Sequence, residues 1–156
     1  MGLNGYAAAT PRAAGRRRVA GFTLVELTVA LAIVALLAMV ALPTFMGQVR
    51  KSRRSDAVAS ILRLQQAQER WRANNTAYAA TVATLTGIDA GLTSSSEKAY
   101  YTLATAPASG AAATGYSVTA SAALGTSQTS DSACTVLSAV ISGGTATYAP
   151  VACWSK

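Results

Sequence analysis

Between Val19 and Val49 the chain carries a single charge, Glu26, and from Leu27 to Leu42 only Thr28 interrupts the apolar residues. At about 1.5 Å per residue, the stretch from Phe22 to Leu42 predicts a helix roughly 31 Å long, about one bilayer core. No polar face relieves it, so this helix spans a membrane, is buried in an assembly, or does both in turn. Pro43 removes a backbone donor and crowds the carbonyl of Met39, and Gly47 adds a second weak point, so the helix is weakened or kinked there. Asp56 to Asn75 then reads as an amphipathic helix, because Ala57, Ile61, Leu64, Gln68 and Trp71 fall on one stripe. Asn74-Asn75 stops it.

From Thr76 to Ser96 the composition turns to Ala, Thr, Ser and Gly, which predicts a loop with one short helical turn, anchored by Tyr78 and Leu85. Strand signals follow at 100–105, 116–120, 134–141 and 145–148, punctuated by Gly110, Gly115, Gly125, Gly143 and Gly144. Short connections pair neighbours into an antiparallel sheet of three or four strands. Its apolar face would cover the helical stripe, giving an α+β head with one shared core.

Composition narrows the chemistry. The 156 residues leave room for one domain, and histidine is absent, which argues against Ser-His-Asp and Cys-His arrangements. Formal net charge is +7, but Arg12, Arg16, Arg17 and Arg18 all precede the apolar run; without them nine basic residues face six acidic ones. Overall basicity is therefore no warrant for nucleic-acid binding. A patch of Arg50, Lys51, Arg53 and Arg54 follows the run; it reads as a solvated helix face, or as a contact for lipid headgroups, acidic neighbours or DNA phosphates. No phosphate-cradling glycine loop or dinucleotide fingerprint occurs, and Asp56, Glu69, Asp89, Glu97 and Asp131 are well spread. These features predict no catalytic residue, no metal site and no cofactor, hence not an enzyme. Cys134 and Cys153 are too few for a zinc site and form one candidate disulfide. Oxidised, it would contribute about 3 kcal/mol by loop closure and imply an oxidising compartment.

The apolar run is too long for a secretory signal core, and 41–45 is a poor cleavage site of that type. A plain membrane anchor fits the length and the preceding arginines but leaves Glu26 without a role. Ala20-Gly21-Phe22-Thr23-Leu24-Val25-Glu26-Leu27 resembles the processing site of type IV pilins and pseudopilins. The resemblance implies that a prepilin peptidase cuts between Gly21 and Phe22 and that Phe22 is then N-methylated. Glu26 matches the family's acidic residue near the mature terminus. Val19 and Ala20 depart from the pattern, since a basic residue usually adjoins the glycine. Cutting at Gly21 would place an ammonium on Phe22, one helical turn from Glu26. In a bundle of such helices Glu26 could meet the Phe22 amine of a neighbour and fix axial register. A proline such as Pro43 at the end of the apolar half is also a family feature, and the Cys134–Cys153 spacing resembles the C-terminal disulfide loop of type IVa pilins.

The implied organisation is a leader over 1–21, an apolar membrane-spanning helix half over 22–43, an amphipathic half over 44–75, and a loop, sheet and disulfide region over 76–156. The implied function is a structural subunit, major or minor, of a type IV pilus used for adhesion or twitching motility. Its partners would be other pilins in a homo- or hetero-polymer, the prepilin peptidase, the inner-membrane assembly machinery and, before assembly, membrane lipid. It would be stored as a single-pass inner-membrane protein with a periplasmic head and end in an extracellular pilus. One rival is a type II secretion pseudopilin, a group that usually lacks the C-terminal disulfide and carries a calcium loop. The other is a DNA-binding minor pilin of natural transformation. After Arg72 only Lys98 and Lys156 are basic, so a DNA strip would have to borrow the helix arginines.

Overall fold

The computed structural model describes residues 21–154. Arg12, Arg16, Arg17, Arg18 and the rest of the expected leader up to residue 20, and Lys156, lie outside them. The described residues up to Met39 form one unit and those from Val40 onward a second.

In the first unit, helix α1 (Leu24–Arg72) begins two residues after Phe22, and nearly every side chain up to Met39 is exposed. Thr23 sets the start: its Oγ1 accepts the Glu26 backbone N–H at 3.2 Å, satisfying one of the first turn's orphan donors. This is the one helix among the described residues long and apolar enough to cross a membrane, by length and composition.

In the second unit, α1 continues through Pro43 to Arg72. Loss of one backbone donor at Pro43 does not end the helix. Asn74 and Asn75 close it, their N–H groups bonding to the carbonyls of Trp71 and Arg72. The stripe behaves as its spacing predicts, with Ala57, Ile61, Leu64 and Gln68 buried and Trp71 half-buried. Gln68 is the polar member, and its amide is fully used. It donates to Ala79 O at 2.9 Å and Thr105 Oγ1 at 2.8 Å and accepts from Ala79 N at 2.8 Å. One side chain thereby ties the helix to the following loop and to the sheet, at no desolvation cost left uncompensated.

The loop holds one short helix, α2 (Val82–Leu85), capped by Thr81 and anchored by the buried Leu85. Strands β1 (Tyr101–Pro107), β2 (Gly115–Ala122), β3 (Val136–Ser142) and β4 (Thr145–Ala149) form one antiparallel sheet in sequence order. Each strand spans the region its alternation predicts, with ends shifted by a few residues. Cys134 falls outside β3, in a turn where its N–H meets Asp131 O. A 3-10 turn at Ser127–Ser130 and a terminal helix α3 (Val151–Trp154) carry no periodic signal long enough to read in the sequence. The inward residues Leu103, Val118, Ala120, Leu137 and Ala139 cover the α1 stripe, which makes the α+β core.

Two glycine positions are dictated by geometry. Gly143 and Gly144 have φ of +56° and +81° in the two-residue β3–β4 turn, a hairpin type that needs positive φ at both places. At Gly115 a Cβ would stand 2.7 Å from Ile141 O on the paired strand. Gly115→Ala is therefore expected to cost about 1–3 kcal/mol, as overpacking does, read as a lower thermal midpoint for residues 40–156.

Candidate assembly and contact surfaces

Three groups of residues bear on function: the start of α1, the basic patch beyond the apolar run, and the disulfide region. At the start of α1, Gly21 and Phe22 precede the helix, and Glu26 sits in its first turn, where the helix dipole favours a carboxylate. Glu26 has no ion-pair partner among the described residues. Thr23-x-x-Glu26 is also a helix-start pattern, a short-range signal that accounts for the cap and was available in the sequence.

The basic patch divides. Arg54 makes a bidentate pair with Asp131, both bonds at 2.8 Å, and the two side chains are largely buried. Arg53 donates to Ser127 Oγ and lies 4.5 Å from the Tyr100 ring centroid. These two arginines are fastenings that hold the segment 127–131 and the start of β1 onto α1, not a free cationic face. Gln128 completes the fastening. Buried, it donates to Tyr101 Oη at 2.7 Å and to Arg50 O at 3.3 Å. Burial pushes the Tyr101 phenol above its usual range, opposed by that bond. Arg50 and Lys51 remain without a side-chain partner among the described residues. Asp131→Asn leaves the largely buried Arg54 with its charge uncompensated. The expected loss is about 1–3 kcal/mol, measured by urea unfolding of residues 40–156.

Further along α1, Arg63 and Arg72 are also engaged, while Arg70 has no side-chain partner among the described residues. Arg63 pairs with Asp89 at 2.6 Å, and its guanidinium holds that carboxyl below the usual range. Arg72 donates to Ala113 O and Asn75 O. Glu69 accepts from Tyr116 at 3.0 Å and from Tyr78 at 3.3 Å, and the two rings are 4.4 Å apart. Burial first, then the Glu69 carboxylate, raises the Tyr116 phenol above its ordinary value. From Val40 to Trp154 eight cations face five acids, and all the cations except Lys98 lie on α1. The sheet face presents no basic strip for a nucleic acid.

Cys134 and Cys153 are bonded, with Cα atoms 5.7 Å apart. The bridge carries α3 against α1, where Val58, Leu62, Cys153, Trp154 and Lys51 line an open groove of about 620 Å³. Trp154 packs on Tyr148 at 4.5 Å and donates to Ala149 O. Among the described residues no three Asp, Glu, His or Cys side chains are grouped as metal ligands would be.

Comparison with known proteins gives two family matches. The family described as "Type IV minor pilin ComP, DNA uptake sequence receptor" matches residues 43–138, and the prokaryotic N-terminal methylation motif matches residues 16–42. The chain is also similar to the type II secretion system core protein G of Aeromonas hydrophila, 35% identical over 66 residues. That match covers 42% of this chain and 46% of the relative's length.

Proposed function

We propose, for a chain that belongs to the type IV minor pilin family, that it is a structural subunit of a type IV pilus: cut between Gly21 and Phe22, methylated at Phe22, stored in the inner membrane and polymerised into the fibre. The observation that carries this reading is α1 itself. Its large apolar side chains from Leu24 to Met46, with Phe22 just before it, are exposed in the single chain, and such a surface has to be covered by lipid or by other helices. The matched families are described as a pilin and as an N-terminal methylation motif, which supports a structural role.

Two observations support a pilus subunit over a secretion pseudopilin. The family match covers most of the head, whereas the similarity to core protein G covers less than half of either chain. The head also closes on a disulfide, which pseudopilins of that type usually lack. Quantitative peptide mass spectrometry of filaments sheared from the native cell tests the proposal. The expected result is a trace subunit whose first residue is methylated Phe22. A chain absent from filaments and still carrying residues 1–21 in the membrane would overturn it.

The family's description favours DNA as a second ligand. On this head the contact would fall to the α1 cations Arg50, Lys51 and Arg70 with Lys98, not to the sheet. Binding of the 40–156 fragment to short duplexes should then weaken steeply between low and physiological salt. Absence of binding at low salt removes this second reading.

A further inference from the structure

The pole of the second unit that carries Arg50 to Arg54 has a composition of its own. Ala123 N bonds to Tyr100 O, Ser127 to Arg53 and Gln128 to Arg50 O, so the 123–128 turn is fastened to this stretch of α1. At the tip of that turn Leu124 is 95% exposed, the most exposed large apolar side chain described. Gly125, with φ +80°, turns the chain back immediately after it. Phe45 and Met46 lie exposed on α1 one turn before Arg50. Arg50, Lys51 and Lys98 have no side-chain partner among the described residues. Lys98 is held here by its backbone N–H, which donates to Asp56 Oδ1 at 3.2 Å. Of the acids at this pole, Asp131 is paired with Arg54, Asp56 accepts that backbone bond through Oδ1 while its Oδ2 is buried without a partner, and Glu97 stays exposed beside Lys98.

An exposed leucine on a turn fastened to the stretch of α1 that carries Arg50 and Lys51 and, through Tyr100, to the segment that carries Lys98, with Phe45 and Met46 exposed on the same helix, matches a bilayer surface: methyl groups at the acyl boundary and cationic groups at the phosphates. We propose that this pole is a docking face for anionic phospholipid. In the membrane-stored subunit, Leu124 enters the headgroup region and Arg50, Lys51 and Lys98 engage lipid phosphates. The proposal rests on the reading that the apolar part of α1 is stored in a bilayer. It gives the basic residues outside the span a role that topology alone does not, since cations there oppose the usual inside bias. Docking fixes the head on the membrane until extraction, and extraction breaks it.

The test uses full-length chain in vesicles of phosphatidylcholine alone or mixed with phosphatidylglycerol. A nitroxide is placed at Leu124→Cys, at Leu36→Cys in the span, or at Thr147→Cys on the outer sheet, and its collisions with a water-soluble nickel chelate are measured. With anionic lipid the Leu124 site is expected to be shielded and the Thr147 site open. Replacing Arg50, Lys51 and Lys98 by Gln together should reopen the Leu124 site, shifting docking by roughly a hundredfold. A Leu124 site as open as Thr147 while Leu36 is shielded overturns the docking face alone. If the Leu36 site is open as well, the membrane-stored reading falls and this inference falls with it. If the triple variant lowers binding of short DNA duplexes but leaves the Leu124 site unchanged, the cations serve nucleic acid and the lipid proposal is wrong.

Discussion

Cys153→Ser is expected to lower the thermal midpoint of residues 40–156 by roughly 10–20 °C. The bridge joins residues 19 apart in sequence, and closing such a loop restricts the unfolded chain by about 3 kcal/mol. A head of this size has little stability to spare, because small domains bury a modest share of their surface. The bridge also has local work. It holds α3, and with it the Tyr148–Trp154 contact, beside an edge strand whose side chains are mostly exposed. Without the bridge, α3 is a single turn with few other fastenings, too short to stand alone. Circular dichroism melts of the wild type with and without reductant, and of the variant, check the expectation. The reduced wild type and the variant should fall together. A midpoint within a few degrees of the oxidised protein in either case would show that packing, not the bridge, holds this end.

The architecture was legible because it is written in local periodicity. The α1 stripe and the strands follow from spacing within a dozen residues, whereas the composition of 76–96 indicated a short helical turn without placing it at Val82–Leu85. The fastenings were not. Arg54 and Asp131 are 77 positions apart, Gln128 and Arg50 are 78 apart, and nothing in either segment marks the other as its partner. The basic patch therefore looked like one surface, when two of its four members are committed to holding the head together. Gln68 shows the same limit from the other side. Its place on an apolar stripe marked it as buried, but its role depends on Ala79 and Thr105, which only the folded chain brings near. The proposed sites at Gly21, Phe22 and Glu26 rest on one short string, which falls within the matched methylation motif at residues 16–42; the roles proposed for them would act on sequence or between chains, where the single folded chain carries no mark of them.

Glu26→Ala is expected to leave membrane insertion intact and to reduce incorporation into filaments by at least about tenfold, the loss that follows from some 1.4 kcal/mol per contact. Insertion should survive because the substitution removes the one charge from an otherwise apolar span. The helix start should survive too, since Thr23 caps it through the backbone N–H of residue 26, which alanine retains. What changes is pairing. In a packed core of such helices the Phe22 ammonium of a neighbour would be left without an anion, and an uncompensated buried charge costs far more than a paired one contributes. On the proposed role, the carboxylate would thus act against wrong registers more than in favour of the right one. Glu26→Gln separates charge from shape: it keeps the side-chain length and hydrogen-bonding capacity, so loss of incorporation there assigns the effect to the charge. Glu26→Asp, with the charge kept on a shorter stem, should retain more incorporation than either. Immunodetection of this subunit in sheared filaments and in membranes gives both readouts from the same cells. Equal amounts of wild-type and Glu26→Ala subunit in filaments would remove the register role and leave Glu26 as a residue of the membrane interface.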